Sequence, residues 1–313
     1  MPSIVAHPLV LADRAWFDSL LCCYGEEERR LAAFSFIYHT IWQGLLAYEW
    51  LELDDHYYLL ARDRGGTFLA LPPLGPPPLE RAIVRGFNLL EERNHSSAVS
   101  RIENVPEGLA AQCRSAGYRV TLKSRDYLYR RADLVGLRGD RYKGPRLSYN
   151  HCRKEAKPSF RPYRPDDREA CLAVFCEWQA GIKPDGESDF SLLLAADAES
   201  AHGFVFSHSD ELQVIGRVAE VGGRIAGYTF GYPQCARDGD NERIFCVLLE
   251  IADRRIKGLP QFMFRELCRE LVEYDVINAM DDSELPGLRR AKAAYHPLRL
   301  VESYIVSPQH TER

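Results

Sequence analysis

The pattern of apolar and polar residues is clearest between residues 217 and 274, where a strand-like pattern gives way to helical spacing. Two apolar runs flank Gly222-Gly223, and paired glycines at such a point are typical of a hairpin turn with positive φ. Residues 244–249 are continuously apolar, which predicts a strand covered on both faces, and Glu250 follows them. Pro260 then opens a predicted helix, since the first helical turn needs no N–H from proline. The stretch therefore predicts a hairpin, a buried strand and a helix, in that order.

The other parts of the chain alternate in the same way. A second hairpin is predicted over residues 57–71, and strands over 276–278 and 298–306. Helices are predicted over 16–46, 79–94, 107–116, 168–180, 190–201 and 285–295. Both halves hold a hairpin followed by helices and strands, and 313 residues suggest two domains at about 150 residues each. We therefore predict an α/β (α+β) protein with domains at 1–135 and 136–313.

Composition narrows the class of protein. The chain is 46% hydrophobic and 27% charged, which is ordinary for a globular protein. Its apolar runs are shorter than the roughly 18 residues of a membrane span, and the first residues lack the features of a signal peptide. Nine cysteines without a Cys-x-x-Cys pair favour free thiols over disulfides or zinc. We expect a cytoplasmic protein without a transmembrane segment or a metal site.

Charge is unevenly distributed along the chain. The whole chain carries −5, yet residues 123–168 contain fourteen Lys/Arg against six Asp/Glu, a net +8. Arg146 and Asn150 lie four residues apart and so share one face of a predicted helix. This segment is a candidate site for a phosphate-bearing substrate. The alternative is a solvated basic helix.

A second candidate phosphate site precedes the helix at Pro260. Arg254, Arg255, Lys257 and Gly258 stand where the helix dipole and free N–H groups favour an anion. An ordinary loop with solvated charges is the alternative. The segment resembles the loop that holds the pyrophosphate of coenzyme A in GNAT acyltransferases, but Pro260 replaces the last small residue.

Residues 278–297 carry the most specific motif. It is similar to Asn-x-x-x-Asp-x-Gly-x-x-Gly-Leu-Arg-x-Ala-Lys-x-Ser-Tyr-x-Pro of the C-terminal domain of phosphatidylglycerol lysyltransferases and their stand-alone relatives. Glu284 and Ala294 depart from the pattern. The matching residues are Asn278, Asp282, Gly287, Leu288, Arg289, Ala291, Lys292, Tyr295 and Pro297.

The resemblance implies two tandem GNAT-like domains, as in Fem-type peptidyltransferases. It also implies transfer of an amino acid from aminoacyl-tRNA, as co-substrate, to an amine or hydroxyl acceptor, either a small molecule or a lipid headgroup. The well-known members carry a membrane flippase region that is not seen here, so the acceptor stays open, as do the amino acid and the oligomeric state. An acyl-CoA-dependent N-acyltransferase and a catalytically silent binding module are the alternatives.

Four residues are the catalytic candidates. Glu250 ends a buried strand and is a candidate base, while pairing with Arg254 is its structural alternative. Arg289 and Lys292 share a helical face and are candidates for holding the tRNA 3′-terminal phosphates or an oxyanion, against a solvated helix face. Asp282 either binds the donor's α-amino group or caps the helix.

Overall fold

The structure is a computed structural model that describes residues 5–95, 99–181 and 189–309, with the backbone alone for 189–197. Its strands are β1 (His7–Pro8), β2 (Ala47–Leu53), β3 (His56–Arg62), β4 (Thr67–Leu69), β5 (Ile102–Pro106), β6 (Arg119–Arg130), β7 (Ser159–Pro162), β8 (Ile215–Val221), β9 (Arg224–Pro233), β10 (Ile244–Ala252), β11 (Val276–Asn278) and β12 (Arg299–Ser307).

The α-helices of the described residues are α1 (Arg14–Leu21), α2 (Phe36–Thr40), α3 (Glu80–Asn94), α4 (Glu107–Ser115), α5 (Arg131–Gly136), α6 (Lys143–Glu155), α7 (Arg168–Ala180), α8 (Asp189–His208), α9 (Leu259–Glu270) and α10 (Pro286–Ala293).

The chain forms two compact units. Unit 1 comprises Met1–Asp126, Cys235–Gly239 and Val301–Arg313, and unit 2 comprises Tyr127–Gln234 and Asp240–Leu300. The division passes through β6 and β12, because each of these strands gives residues to both units. A single cut after residue 135 into two domains stays a prediction.

In unit 1 the strand order is β1-β2-β3-β4-β5-β12, and β4 and β5 are its parallel pair. The side chains of β3 alternate between the two faces of this sheet. Leu59 and Ala61 pack in a cluster with Phe17 of α1. Tyr58 and Leu60 pack in a second cluster with Ile83 of α3. The sheet of unit 1 is thus covered by apolar side chains on both faces.

In unit 2 the strand order is β6-β11-β10-β9-β8-β7, and β10 and β11 are its parallel pair. Gly222 and Gly223 have φ values of 60° and 79°, so the predicted hairpin turn is confirmed. Helix α9 packs on β10 through Phe264 and Leu267. In both units a helix leads from one strand of the parallel pair to the other, α3 in unit 1 and α9 in unit 2.

The helix predicted over residues 16–46 is wrong. The structure has two short α-helices there, α1 and α2, with a 3-10 turn at Glu28–Arg30, and most of the apolar residues between them are buried outside any α-helix. The Asp126 carboxylate accepts a hydrogen bond from the Ala32 N–H at 2.7 Å, which replaces a helical bond. Ser35 begins α2, because its hydroxyl accepts from the Ile37 N–H at 3.2 Å. Apolar residues occur in most positions of this stretch because most positions are buried, so some of them recur at helical spacing although no continuous helix forms.

Candidate active site

Strand β10 carries Glu250 beyond its parallel pairing. The register with β11 covers Ile244 to Cys246 and stops there, because β11 ends at Asn278. Strand β10 continues to Ala252 with β9 as its neighbour, and the β9–β10 register shifts between Val247 and Leu249. Glu250 therefore lies on a length of β10 that its parallel partner does not reach.

Glu250 is paired in register with Thr229 of β9. The residue as a whole is half-buried, but its Oε2 atom and the Oγ1 atom of Thr229 are both buried. Apart from each other, these two atoms have no hydrogen-bond partner in the described part of the chain. Leaving a buried polar atom unpaired costs about 1–3 kcal/mol, so this pair of atoms is suited to a ligand or water that bonds to both.

Burial sets the protonation of Glu250. Loss of solvent raises the pKa of its carboxyl from 4.5 to about 8, while the charge of Lys292 and the nearby Thr229 hydroxyl act in the opposite direction. The predicted alternative partner, Arg254, instead donates to the Gly181 carbonyl oxygen at 3.0 Å. A carboxyl that titrates near neutral pH suits proton transfer.

Asp282 is a hydrogen-bond acceptor for three groups. The Tyr127 hydroxyl donates to its Oδ2 at 2.7 Å, and Arg289 donates to the same atom through Nε at 2.9 Å. The Glu284 N–H donates to Oδ1 at 3.0 Å. The Arg289 guanidinium, helped by the Tyr127 hydroxyl, holds the pKa of Asp282 below its ordinary value despite burial. Asp282 is therefore an ionised carboxylate, and it stabilises the loop before α10 rather than the first turn of the helix.

Lys292 is fixed by backbone carbonyl groups. Its Nζ donates to the oxygens of Ala279 at 2.6 Å and Met280 at 3.2 Å, and also to that of Asp281. The same Nζ lies 5.7 Å from the centre of the Tyr127 ring. Lys292 thus closes the loop that follows β11 and holds a positive charge close enough to lower the pKa of Glu250.

Strand β6 supports this corner of unit 2. The Tyr129 hydroxyl donates to the Lys292 carbonyl oxygen at 2.9 Å, and Tyr127 forms backbone bonds with Ala279 and Met280. Helix α10 has no buried residue of its own, so these polar contacts hold it in place. We call Asp282, Arg289, Lys292 and Tyr127 the motif corner.

The basic positions of α6 divide into two kinds. Arg146 donates to the carbonyl oxygens of Leu137 and Gly139, the latter at 2.9 Å, and so satisfies the end of α5. Asn150 is exposed, as are Arg153 and Lys157. The opposite side of α6 is buried against α9 through Tyr149 and others. We call the exposed Asn150 and Arg153 of α6, together with the exposed Lys157 that follows the helix end, the basic face.

The segment before α9 is organised by its own contacts. Arg255 forms an ion pair with Asp253, its Nε lying 2.9 Å from Oδ1, and it also contacts Glu177. Lys257 is exposed. Gly258 has a φ of 85°, and a Cβ there would overlap the Ser148 carbonyl oxygen of α6. Helix packing alone therefore accounts for this glycine.

The family model for the C-terminal domain of phosphatidylglycerol lysyltransferase matches residues 27–307. The chain belongs to this family. No curated protein sequence matches it. Among the described residues no group of three or more His, Cys, Asp or Glu is placed to hold a metal ion, and no helix is long and apolar enough to cross a membrane.

Solved structures agree with the family assignment and show the fold. A conserved protein of unknown function from Bacteroides thetaiotaomicron is 24% identical, with a TM-score of 0.82 over 98% of this chain and 100% of that one. L-PGS from Bacillus licheniformis is 14% identical, with a TM-score of 0.61 over 86% of each chain. A tandem GNAT protein from the clavulanic acid biosynthesis pathway is 12% identical, with a TM-score of 0.52 over 99% and 100%. The predicted α/β tandem GNAT-like fold is confirmed.

Two residues of this candidate site were given no role from the sequence. Thr229 is one polar residue in an apolar strand, and only the register of β9 with β10 places it beside Glu250. Tyr127 is the other, and its contact with Asp282 spans 155 residues of sequence. From the sequence, Thr229 could have been noticed only as a polar residue within a strand that is otherwise largely apolar.

Proposed function

We propose that this protein transfers an aminoacyl group from aminoacyl-tRNA to an amine or hydroxyl acceptor, with Glu250 as the general base. The observation that carries the proposal is the buried Glu250 Oε2, which has no partner in the described part of the chain and lies beside the equally unpartnered Thr229 hydroxyl. Family membership supplies the reaction class, an acyl transfer. The acceptor is a small molecule or a lipid headgroup.

The step needs no nucleophile from the protein, because an aminoacyl ester is already activated. Glu250 takes a proton from the acceptor N–H or O–H, and the acceptor's lone pair attacks the ester carbonyl carbon. The bond to the tRNA ribose oxygen then breaks, and that oxygen leaves with the proton that Glu250 took from the acceptor. Positioned general-base catalysis contributes about 10²- to 10⁴-fold. Thr229 holds the acceptor against Glu250 through its hydroxyl.

The motif corner supplies charge rather than a proton. Lys292 is held by carbonyl oxygens, so its charge is positioned before substrate arrives, as transition-state stabilisation requires. Arg289 binds Asp282 through one side of its guanidinium, while its side chain remains 59% exposed. The remaining N–H groups of Arg289 suit a phosphate or carboxylate of the donor.

The basic face is the proposed contact for tRNA phosphates. Arg153 is exposed on α6 and Lys157 is exposed just beyond its end, whereas Arg146 is engaged with the end of α5 and has a structural role. For a nucleic-acid duplex, the logarithm of the binding constant falls linearly with the logarithm of the salt concentration, with a slope of about −0.9 per phosphate contacted. Arg153→Ala with Lys157→Ala should flatten that slope and leave the melting temperature unchanged. An unchanged slope would remove the basic face from the proposal.

One experiment tests the donor. The protein is incubated with a mixture of charged tRNAs, or with acetyl-CoA, together with amine and hydroxyl acceptors including phosphatidylglycerol vesicles. Loss of one aminoacyl-tRNA, dependent on Glu250 and on an acceptor, is the expected result. Consumption of acetyl-CoA instead would favour the acyl-CoA-dependent reaction, and consumption of neither donor would favour a silent binding module. Glu273→Gln, an exposed glutamate of unit 2, is the matched control.

A further inference from the structure

A pair of thiols lies in unit 1. Cys22, which follows α1, has its Sγ 3.1 Å from the Sγ of Cys235, and 213 residues of sequence separate the two. Both cysteines are half-buried. The sulfur atoms need to approach by only about 1 Å to reach the disulfide bond length of about 2 Å. The two side chains therefore already point at each other.

The segment that carries Cys235 is held on unit 1 by hydrogen bonds. Arg29 donates through Nη1 to the Cys235 carbonyl oxygen at 2.8 Å, and Arg237 donates to the Tyr24 carbonyl oxygen at 2.7 Å. The Cys235 thiol also lies 3.7 Å from the Asp18 carbonyl oxygen. These contacts fix the backbone around both sulfurs, so a bond between them needs little rearrangement.

We propose that Cys22 and Cys235 are an oxidation site that forms a reversible disulfide with a hydroperoxide. Cys22 reacts first: its sulfur attacks the peroxide oxygen, giving a sulfenic acid and releasing an alcohol or water. The Cys235 sulfur then attacks the Cys22 sulfur, the S–O bond breaks, and water leaves with the Cys235 proton. Two thiols are oxidised by two electrons and one peroxide is reduced.

The order of the two steps follows from the surroundings. Burial, with the Cys22 thiol as a neighbour, raises the pKa of Cys235 to about 12, so Cys235 stays protonated until its partner has been activated. A metal is not the alternative occupant, because no group of three or more ligating side chains is found in the described residues. In a reducing compartment such a disulfide is transient and serves redox sensing.

Peptide mapping of the full chain tests the proposal. Mild hydrogen peroxide should remove two of the nine free thiols and give one cross-linked peptide pair that contains Cys22 and Cys235, lighter by two hydrogen atoms. A dithiol reductant should restore both thiols. The oxidised protein should melt at a higher temperature than the reduced one, since the cross-link restricts the unfolded chain.

The neighbouring Cys23 provides the control. It is exposed and directly follows Cys22, so it tests whether position or mere accessibility decides the reaction. Cys23→Ser should leave the cross-link intact, whereas Cys22→Ser and Cys235→Ser should each abolish it and the shift in melting temperature. Cross-links through Cys23, bonds between two molecules, or sulfinic acid without a cross-link would overturn the proposal. Because the map is first made on the wild-type chain, a variant that fails to fold does not weaken the test.

Discussion

The motif corner and the Glu250–Thr229 pair lie in the same unit and differ in how their polar atoms are satisfied. Asp282 accepts from three groups, and Lys292 donates to three carbonyl oxygens. Glu250 Oε2 and Thr229 Oγ1 are buried with no partner in the described part of the chain. A network whose polar atoms all have hydrogen-bond partners keeps its loop in one conformation, whereas buried polar atoms without such partners are suited to binding a ligand or water. This difference is why we propose proton transfer for the pair and expect the corner to hold its loop and its charges in place.

The largest effect is expected for the base. Glu250→Gln keeps the size of the side chain and removes its ability to take a proton, so kcat/KM with charged tRNA should fall by about 10²- to 10⁴-fold. In the wild-type protein kcat/KM should rise with pH up to the pKa of about 8, and the variant should lack this rise. Steady-state kinetics against pH measure both.

Thr229→Val sharpens the same test. It removes the hydroxyl and keeps the branched shape, so we expect a higher KM for the acceptor with a smaller loss of kcat than for Glu250→Gln. If Glu250→Gln keeps full turnover, the unpartnered oxygen is not the base, and the assignment of the pair is wrong.

The free energy of unfolding of the wild-type protein, compared with that of Glu250→Gln, should decrease as pH rises. Folding raises the pKa of Glu250 from 4.5 to about 8, so between these values the folded state binds more protons than the unfolded state. The free energy of unfolding therefore loses up to about 1.4 kcal/mol per pH unit through this group as pH rises. Glu250→Gln should be more stable than wild type at about pH 8 and equal to it near the ordinary pKa of glutamate. Urea unfolding at both pH values checks this, and a pH-independent difference would contradict it.

Substitution of Arg289 in the motif corner should lower both the stability of the protein and its activity. Arg289→Ala removes two hydrogen bonds from a largely buried carboxylate, at 2.9 Å and 3.4 Å, and should lower the melting temperature. Activity should fall by about ten- to a hundredfold, and Arg289→Lys should recover part, since lysine lacks the planar fork. The sequence alone leaves a solvated helix face as the alternative for Arg289, whereas its ion pair with Asp282 predicts an effect on stability.

Arg290→Ala is the matched control for this prediction. Arg290 is exposed on the same helix and differs from Arg289 in lacking the Asp282 contact. Melting temperature and turnover should both stay near wild type for Arg290→Ala. If the two alanine variants behave alike, the corner does not depend on the Asp282–Arg289 pair.

The sequence predicts features that depend on neighbouring residues better than features that depend on contacts between distant parts of the chain. Gly222-Gly223 and Pro260 act locally, and the turn and the helix start they predict are present. The motif residues Asp282, Arg289 and Lys292 also meet, because all three lie within one loop and its helix. Thr229 escaped prediction, since its position depends on a strand register that includes an irregularity at Val247. A phosphate contact of Arg146 stays a prediction, and its bonds to the end of α5 could not be read from the sequence because they depend on how α5 and α6 pack.

The smallest effect is expected for Tyr127, which joins β6 to the motif corner. Tyr127→Phe keeps the ring below Lys292 and removes only the hydroxyl that donates to Asp282 at 2.7 Å. One hydrogen bond to a charged group should cost about 1.5–3 kcal/mol at most, and less here because Arg289 still neutralises the carboxylate. We expect a lower melting temperature and a few-fold loss of kcat with the pH profile unchanged, since Glu250 is untouched.

A double-mutant cycle with Arg289→Ala decides whether the two groups act on one carboxylate. Each single variant leaves Asp282 one strong partner, whereas the double variant leaves it buried with only the Glu284 N–H at 3.0 Å. The loss of stability in the double variant should therefore exceed the sum of the single losses, with a coupling free energy of about 0.5–3 kcal/mol. Urea unfolding of the four proteins at one pH measures this coupling. Strict additivity would mean that Tyr127 and Arg289 do not share Asp282, and the corner would then be two separate contacts rather than one network.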